Sequence, residues 1–275
     1  MVPGGRGAEM METRCGRGAV EEAMPVEHAA RPGQSTGEPE ARQSAGRRRR
    51  TIHVDGAGLD VEAADGARRR VLAPVHAELT EEVIAVVGAN GSGKSTLLRL
   101  IAGLVEPSLG EVRFSPTPPR TGFIFADPTA QLIMPIVGED IAFSLRGRIR
   151  NRSARGAESR RILASLGLED REQASVHDLS SGERQKVALA GVLAAEPELV
   201  VADEPTTLLD LRASAEFRDR LLSLGVPLVL ATHDLDFAAA ADRVLVFDGG
   251  RLVDDDEPAA AIPRYRRLAL GDRAD

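Results

Sequence analysis

The chain predicts an α/β fold with a largely parallel sheet, and three observations predict it. Val83-Ile84-Ala85-Val86-Val87 is a strand-length apolar run without alternation, the pattern of a strand covered on both faces. A helix follows over residues 94–104, with Leu97, Leu100, Ile101 and Leu104 at helical spacing. Two further apolar runs, Leu199 to Ala202 and Pro227 to Ala231, come later, so that strands alternate with helices.

Residues 1 to 50 are rich in Gly, Pro, Arg, Glu and Ser and contain no aromatic residue. Such a segment buries too little apolar surface to offset its ordering entropy, and a disordered tail is expected. Met10, Met11 and Met24 offer later starts within it, and Arg47 to Arg50 form a basic run that reads as a solvated linker. Patterned sequence begins near Thr51. Ile52 to Val54 and Leu59 to Val61 read as short strands. Residues 157 to 168 read as a helix with Ile162, Leu163 and Leu166 on one side and Gly167 closing it. Val244 to Phe247, Asp248-Gly249-Gly250 and Arg251 to Val253 read as a hairpin.

Composition narrows the function. At 275 residues and 43% hydrophobic content, the chain can build a sizeable core. A net charge of −7 gives no general case for nucleic-acid binding. A lone cysteine, Cys15, excludes an intrachain disulfide. No run of 18 apolar residues is present, so membrane work would need partners that span the bilayer. Only two lysines, Lys94 and Lys186, stand against 33 arginines, which makes the position of Lys94 informative.

Lys94 falls in Gly88-Ala89-Asn90-Gly91-Ser92-Gly93-Lys94-Ser95-Thr96, a full match to GxxxxGK[ST] between a buried strand and an amphipathic helix. The glycines let successive backbone N–H groups converge on phosphate oxygens. The helix N-terminus adds partial positive charge. Lys94 is expected to reach the β- and γ-phosphates, and Ser95 to offer its hydroxyl to Mg²⁺. ATP and Mg²⁺ are the ligands this motif calls for.

Three further elements follow in order. Leu199-Val200-Val201-Ala202-Asp203-Glu204 ends an apolar strand in two carboxylates, Asp203 to hold Mg²⁺ and Glu204 to polarise the attacking water. Leu179-Ser180-Ser181-Gly182-Glu183 opens an alanine-rich helix, with Ser180 and Glu183 spaced as a capping box. Ala231-Thr232-His233-Asp234 puts a histidine at the end of the next apolar run. With the phosphate loop, these residues resemble the ABC ATPases over residues 51 to about 255. Leu179 to Glu183 is similar to their LSGGQ signature, departing at Ser181 and Glu183. Thr207 to Asp210 stands where their D-loop does, and His233 where their switch histidine contacts the γ-phosphate. The resemblance implies a P-loop NTPase fold of ABC type over 51–275, with a largely parallel core sheet, an antiparallel β subdomain and a helical subdomain at about 127–180. It implies that Ser180, Gly182 and Asp210 serve a nucleotide held by a second ATPase subunit, identical or paralogous.

Gly122-Phe123-Ile124-Phe125-Ala126-Asp127-Pro128-Thr129-Ala130-Gln131-Leu132, then Ile136 to Phe143, resembles the energy-coupling factor ATPases. Met134-Pro135 and Ala202 to Leu211 look more like their biotin branch than the cobalt or nickel branch. The resemblance implies a peripheral ATPase on the cytoplasmic face of the cell membrane. Its implied partners are an integral membrane coupling subunit, received on residues about 126 to 155, and a substrate-binding membrane subunit. Two departures stand out. Ala126 replaces the family's Q-loop glutamine, and Val61 stands where an aromatic residue often stacks on adenine, leaving the base to apolar contact. Ala126, Ser181 and Glu183 together favour an alternative, a nucleotide-dependent binding switch with little turnover. A soluble ABC ATPase acting on nucleic acid is the third reading, favoured only by the arginine-rich tail.

Overall fold

The computed structural model describes residues 50–64 and 66–271; the expected tail, apart from Arg50, lies outside the described residues. In chain order the strands and helices are β1 (Thr51–Glu62), β2 (Arg68–Leu79), β3 (Val83–Gly88), α1 (Lys94–Ile101), β4 (Leu109–Ser115), β5 (Thr121–Ile124), α2 (Val137–Ser144), α3 (Arg152–Ser165), α4 (Ser181–Ala194), β6 (Leu199–Asp203), α5 (Leu211–Leu222), β7 (Leu228–Ala231), α6 (Leu235–Ala239), β8 (Arg243–Asp248), β9 (Arg251–Asp256) and α7 (Pro258–Leu270). They form a three-stranded sheet, β2-β1-β4, and a six-stranded sheet, β5-β6-β7-β3-β8-β9. The first is antiparallel. The second is parallel from β5 to β8, with β9 added antiparallel.

The unbroken apolar run of β3 has its reason in two cores. Ile84 and Val86 face one, shared with Leu97, Leu98 and Ile101 of α1 and with Val54, Leu72 and Val75 of the three-stranded sheet. Val83, Ala85 and Val87 face the other, shared with Ile141, Leu163, Leu189 and Phe237 from the helices. Strands β6, β7 and β8 split their residues between the same two cores, so neither face can be polar.

Several elements differ in extent from the sequence expectation, each for a physical reason. The two short strands at 52–61 are one strand, β1, whose pairing with β2 shifts register three times between Asp55 and Asp60. Each shift resets the period-2 alternation and breaks the pattern in two. Helix α1 stops at Ile101 rather than Leu104. Gly103 takes a left-handed φ of 68°, and the Leu104 and Gly103 N–H groups close back on the Arg99 and Leu100 carbonyls. The same closure ends α3, where Gly167 has φ 67° and the Leu168 N–H donates to the Leu163 carbonyl. Helix α3 starts five residues earlier than its apolar spacing announces, because the Asn151 side chain caps the Ala154 N–H and the first turns are solvated.

Between β5 and α2 the chain runs through a single 3₁₀ turn and a loop held by one carboxylate. Asp140 of α2 is 4% exposed, and its Oδ1 accepts from the N–H groups of Ile133 and Met134 at 2.8 Å each. The loop so pinned presents Ile133, 66% exposed. Replacing Asp140 by Ala leaves both donors without their acceptor, and is expected to cost about 2–3 kcal/mol. Asn, which keeps one acceptor oxygen, should lose about half of that. The urea midpoint should move with no change in slope; an unaltered midpoint for Asp140→Ala would show that the loop does not depend on this carboxylate.

Candidate nucleotide site

The site begins where β3 ends. Gly88 has φ 155°, and a Cβ there would lie 2.2 Å from the Phe247 carbonyl oxygen and 2.6 Å from Ser92 Oγ. Only glycine lets the chain leave β3 this close to β8. Gly93, at φ 101°, precedes α1, and a Cβ on it would press against Leu72 at 3.0 Å. The loop is tied down by its own backbone. The Ser92 N–H donates to the Ala89 carbonyl (3.1 Å), and the Ser92 carbonyl accepts from the Gly250 N–H (3.0 Å).

Lys94 is 5% exposed, and its Nζ donates to the carbonyls of Gly88 (2.8 Å) and Ala89 (3.1 Å). That directs the ammonium across the mouth of the loop, 3.8 Å from Glu204 Oε1. Ser95 Oγ donates to Asp203 Oδ1 at 2.8 Å. Asp203 is 6% exposed, and burial pushes its carboxyl above the ordinary range, opposed by the Ser95 hydrogen bond and by Arg99 and Lys94. Glu204, next along, has φ 48°, a left-handed conformation that costs a non-glycine residue about 1–3 kcal/mol. Its surroundings hold it there. The His233 ring Nδ1 lies 2.6 Å from Glu204 Oε2, and the His233 N–H and Thr207 hydroxyl donate to the same oxygen at 3.2 and 3.3 Å.

These residues enclose a cavity of about 180 Å³ lined by Val71, residues Asn90 to Thr96 and Glu204. Its features fit a polyphosphate. Helix α1 has no side-chain cap, so its first N–H groups are left for an anion. Ser92 Oγ is buried without a hydrogen-bond partner in the wall of the loop. The paired oxygens of Ser95 and Asp203 are hard donors of the kind Mg²⁺ takes. Val71 of β2 lines the cavity beside Gly93, whereas Val61 is 39% exposed on β1, opposite Arg69.

Ser180, Gly182 and Asp210 do not line this cavity. They gather at a second place, the adjoining N-termini of α4 and α5. A Cβ on Gly182 would lie 3.6 Å from Ala213 Cβ, and the Ala213 N–H is capped by the Asp210 carboxylate at 2.8 Å. Ser180 and Glu183 form a reciprocal capping box, and Glu183 also accepts from Arg171 Nε at 2.7 Å. Val71, Thr207 and the Gly250 backbone join the first cluster without a sequence signal for that role. Thr207 stands in the segment that resembles the D-loop, and Gly250, in the turn between β8 and β9, is brought in by donating to the Ser92 carbonyl and lies against the Val71 backbone.

Hydrogen bonds from the Ser180 backbone and hydroxyl, then from Arg171, hold the Glu183 carboxyl at about 2, below its ordinary 4.5. A depressed carboxyl stabilises the fold above its unfolded value and loses that contribution as pH falls. Glu183→Gln is therefore expected to cost about 1 kcal/mol at pH 7. The gap to the parent chain should close as pH falls from 4.5 to about 2. Urea midpoints across that window check it, and a gap independent of pH would mean that the charge contributes nothing.

Comparison with known proteins identifies the family of the chain. The family model described as ABC transporter matches residues 76–207. The biotin transport ATP-binding protein BioM of Rhizobium etli is 39% identical over 226 residues, 79% of this chain and 99% of that protein. An energy-coupling factor transporter ATP-binding protein of Levilactobacillus brevis is 36% identical over 201 residues, 68% of this chain and 72% of that one. Among solved structures, CbiO1 of Clostridium perfringens, part of the ABC transporter complex CbiONQ, superposes with a TM-score of 0.67 at 28% identity. That match covers 81% of this chain and 94% of CbiO1. With its phosphate loop, paired carboxylates and histidine set as described, the chain belongs to the ABC transporter ATP-binding proteins and is an ATPase of that family.

Proposed function

We propose that the chain is the ATP-hydrolysing subunit of an energy-coupling-factor type importer. Biotin is the favoured cargo, ahead of other vitamins and of cobalt or nickel ions. The observation that carries the reading is the division of the site. Lys94, Ser95 and Glu204 line one cavity, with Asp203 bonded to Ser95 and His233 to Glu204 behind them, while Ser180, Gly182 and Asp210 meet on helix ends elsewhere. Each cluster lacks what the other holds, and two subunits, identical or paralogous, would complete two sites when facing each other. The names of the biotin and energy-coupling relatives support the cargo and the transport role.

Within one site, the loop N–H groups and Lys94 bind and orient the triphosphate. Ser95 and Asp203 would hold Mg²⁺, which supplies charge neutralisation between phosphates when bound. Glu204 takes the role of polarising water, and His233 holds that carboxylate in position. Among the described residues no helix is long and apolar enough to cross a membrane. The transporter relatives, not that absence, support a peripheral place on the cytoplasmic face of the membrane. An integral coupling subunit would be received on residues about 126 to 155, where Ile133 projects, and would pair with a substrate-binding membrane subunit.

Steady-state ATPase activity tests the hydrolase reading. Glu204→Gln should lower turnover by about 10²–10³-fold while Mg·ATP still binds. Equal turnover in both proteins would remove Glu204 from the mechanism.

The switch reading, with little turnover, also has an observation behind it. Ala126 carries no polar side-chain atom, and Gln131 is engaged elsewhere, accepting from the Phe125 N–H (3.4 Å) and donating to the Ala188 carbonyl (3.1 Å). Gln131 thus braces the loop against α4 and is not free to serve the cavity. Ala126→Gln should raise ATP turnover or its coupling to uptake. Unchanged rates of both would mean that the position has no bearing on the cycle.

A further inference from the structure

Between residues 146 and 161, where α2 ends and α3 begins, the chain carries seven arginines and one acidic residue, Glu158. This stands out in a protein of net charge −7. Part of that charge is paired. Arg148 bridges Glu158 and Glu196, Arg161 bridges Glu158, and Arg160 bridges Glu172. The rest is not. Arg146 lies over the Phe143 ring at 4.7 Å, and Arg155 donates to the carbonyls of Ile149 and Arg150, neither of which cancels charge. Arg150 and Arg152 are exposed, with no acidic partner among the described residues. Four cations therefore stand uncompensated on one short stretch, a local positive potential that an anionic surface would complement.

We infer that the Arg146–Arg155 segment is a contact for anionic phospholipid headgroups. The inference rests on the membrane-side reading above. Charge complementarity selects lipid over the membrane subunits themselves. Cytoplasmic loops of membrane proteins are enriched in Lys and Arg, a poor match for an arginine cluster, whereas the cytoplasmic leaflet carries negative surface potential. Of residues 126 to 155, the part around the exposed Ile133 is left to the coupling subunit, which would bring the arginines that follow it in sequence to the bilayer surface.

The test is co-sedimentation of the full chain with vesicles of phosphatidylcholine alone and with added phosphatidylglycerol. The vesicles contain no protein, so the outcome does not depend on the proposed transport partners. Failure of the transport reading would appear instead as failure to co-purify with membrane subunits. The parent chain should bind only the anionic vesicles, and more weakly as salt rises. The triple variant R146Q/R150Q/R152Q should bind roughly a hundredfold more weakly, at about fivefold for each charge. The triple lysine variant at the same positions should bind like the parent, because headgroup attraction needs charge rather than the guanidinium fork. Unfolding midpoints of both variants confirm that they fold, and R150Q/R152Q, at two exposed positions, carries the test with a roughly twenty-fivefold loss if the triple glutamine variant does not fold. A parallel variant, R47Q/R48Q/R49Q, separates the tail. Vesicle binding lost in the tail variant and kept in R146Q/R150Q/R152Q would overturn the inference. So would no binding by the parent, or arginine-dependent retention on an RNA homopolymer that exceeds retention on anionic vesicles.

Discussion

The burial of one parallel sheet on both faces is the constraint from which the rest of this structure follows. Strand β3 has no solvent side, so its residues alternate between two apolar cores. A strand so enclosed is rigid, and the chain leaving it can be placed accurately. The phosphate loop inherits that placement. Gly88 passes within contact of the β8 backbone, and the loop carbonyls are then fixed well enough to hold a buried ammonium. In the same sheet β7 lies beside β3 and β6 beside β7, and the two deliver Asp203, Glu204 and His233 at their C-terminal ends. Ligand sites at the carboxyl edge of a parallel sheet follow from this geometry.

The strain at Glu204 belongs to the same picture. A glutamate at positive φ persists only when several neighbours over-determine it, and here the neighbours are the residues proposed to act on the nucleotide. The charge of Lys94 opposes the carboxylate, His233 and Thr207 fix one oxygen, and the Ala231 carbonyl accepts the Glu204 N–H. Removing any of them relaxes the backbone as well as the chemistry, so the single substitutions in this group should not add independently.

Much of this was legible in the sequence, because phosphate-binding chemistry constrains residue types locally. Glycines, lysine and hydroxyls must follow one another between a buried strand and a helix, and the two carboxylates must end another strand. What was not legible came from strand pairing. Strand β2 opens with three arginines and carries a proline, and its apolar positions sit among bulged partners, so neither a strand nor the cavity wall at Val71 announced itself. The left-handed backbone of Glu204 has no compositional sign at all. Asp140 likewise reads as one acid among many, and only its burial beneath two N–H groups marks it as the pin of the loop. The departures at Glu183 and Ala126 were visible as letters. The capping box and ion pair with Arg171 account for the first. The geometry shows Gln131 already engaged beside the second.

The scarcity of lysine has a chemical consequence outside catalysis. Lys94 is buried with its amine committed to two carbonyls, and Lys186, on α4, is a third exposed beside Glu216. The folded body therefore offers acylating or cross-linking reagents a single accessible side-chain amine. Residues 1–49 add none, since they contain no lysine. Reversible acetylation, so common a brake on lysine-rich enzymes, has almost no purchase here, and one label placed at Lys186 would report on the α4–α5 edge alone.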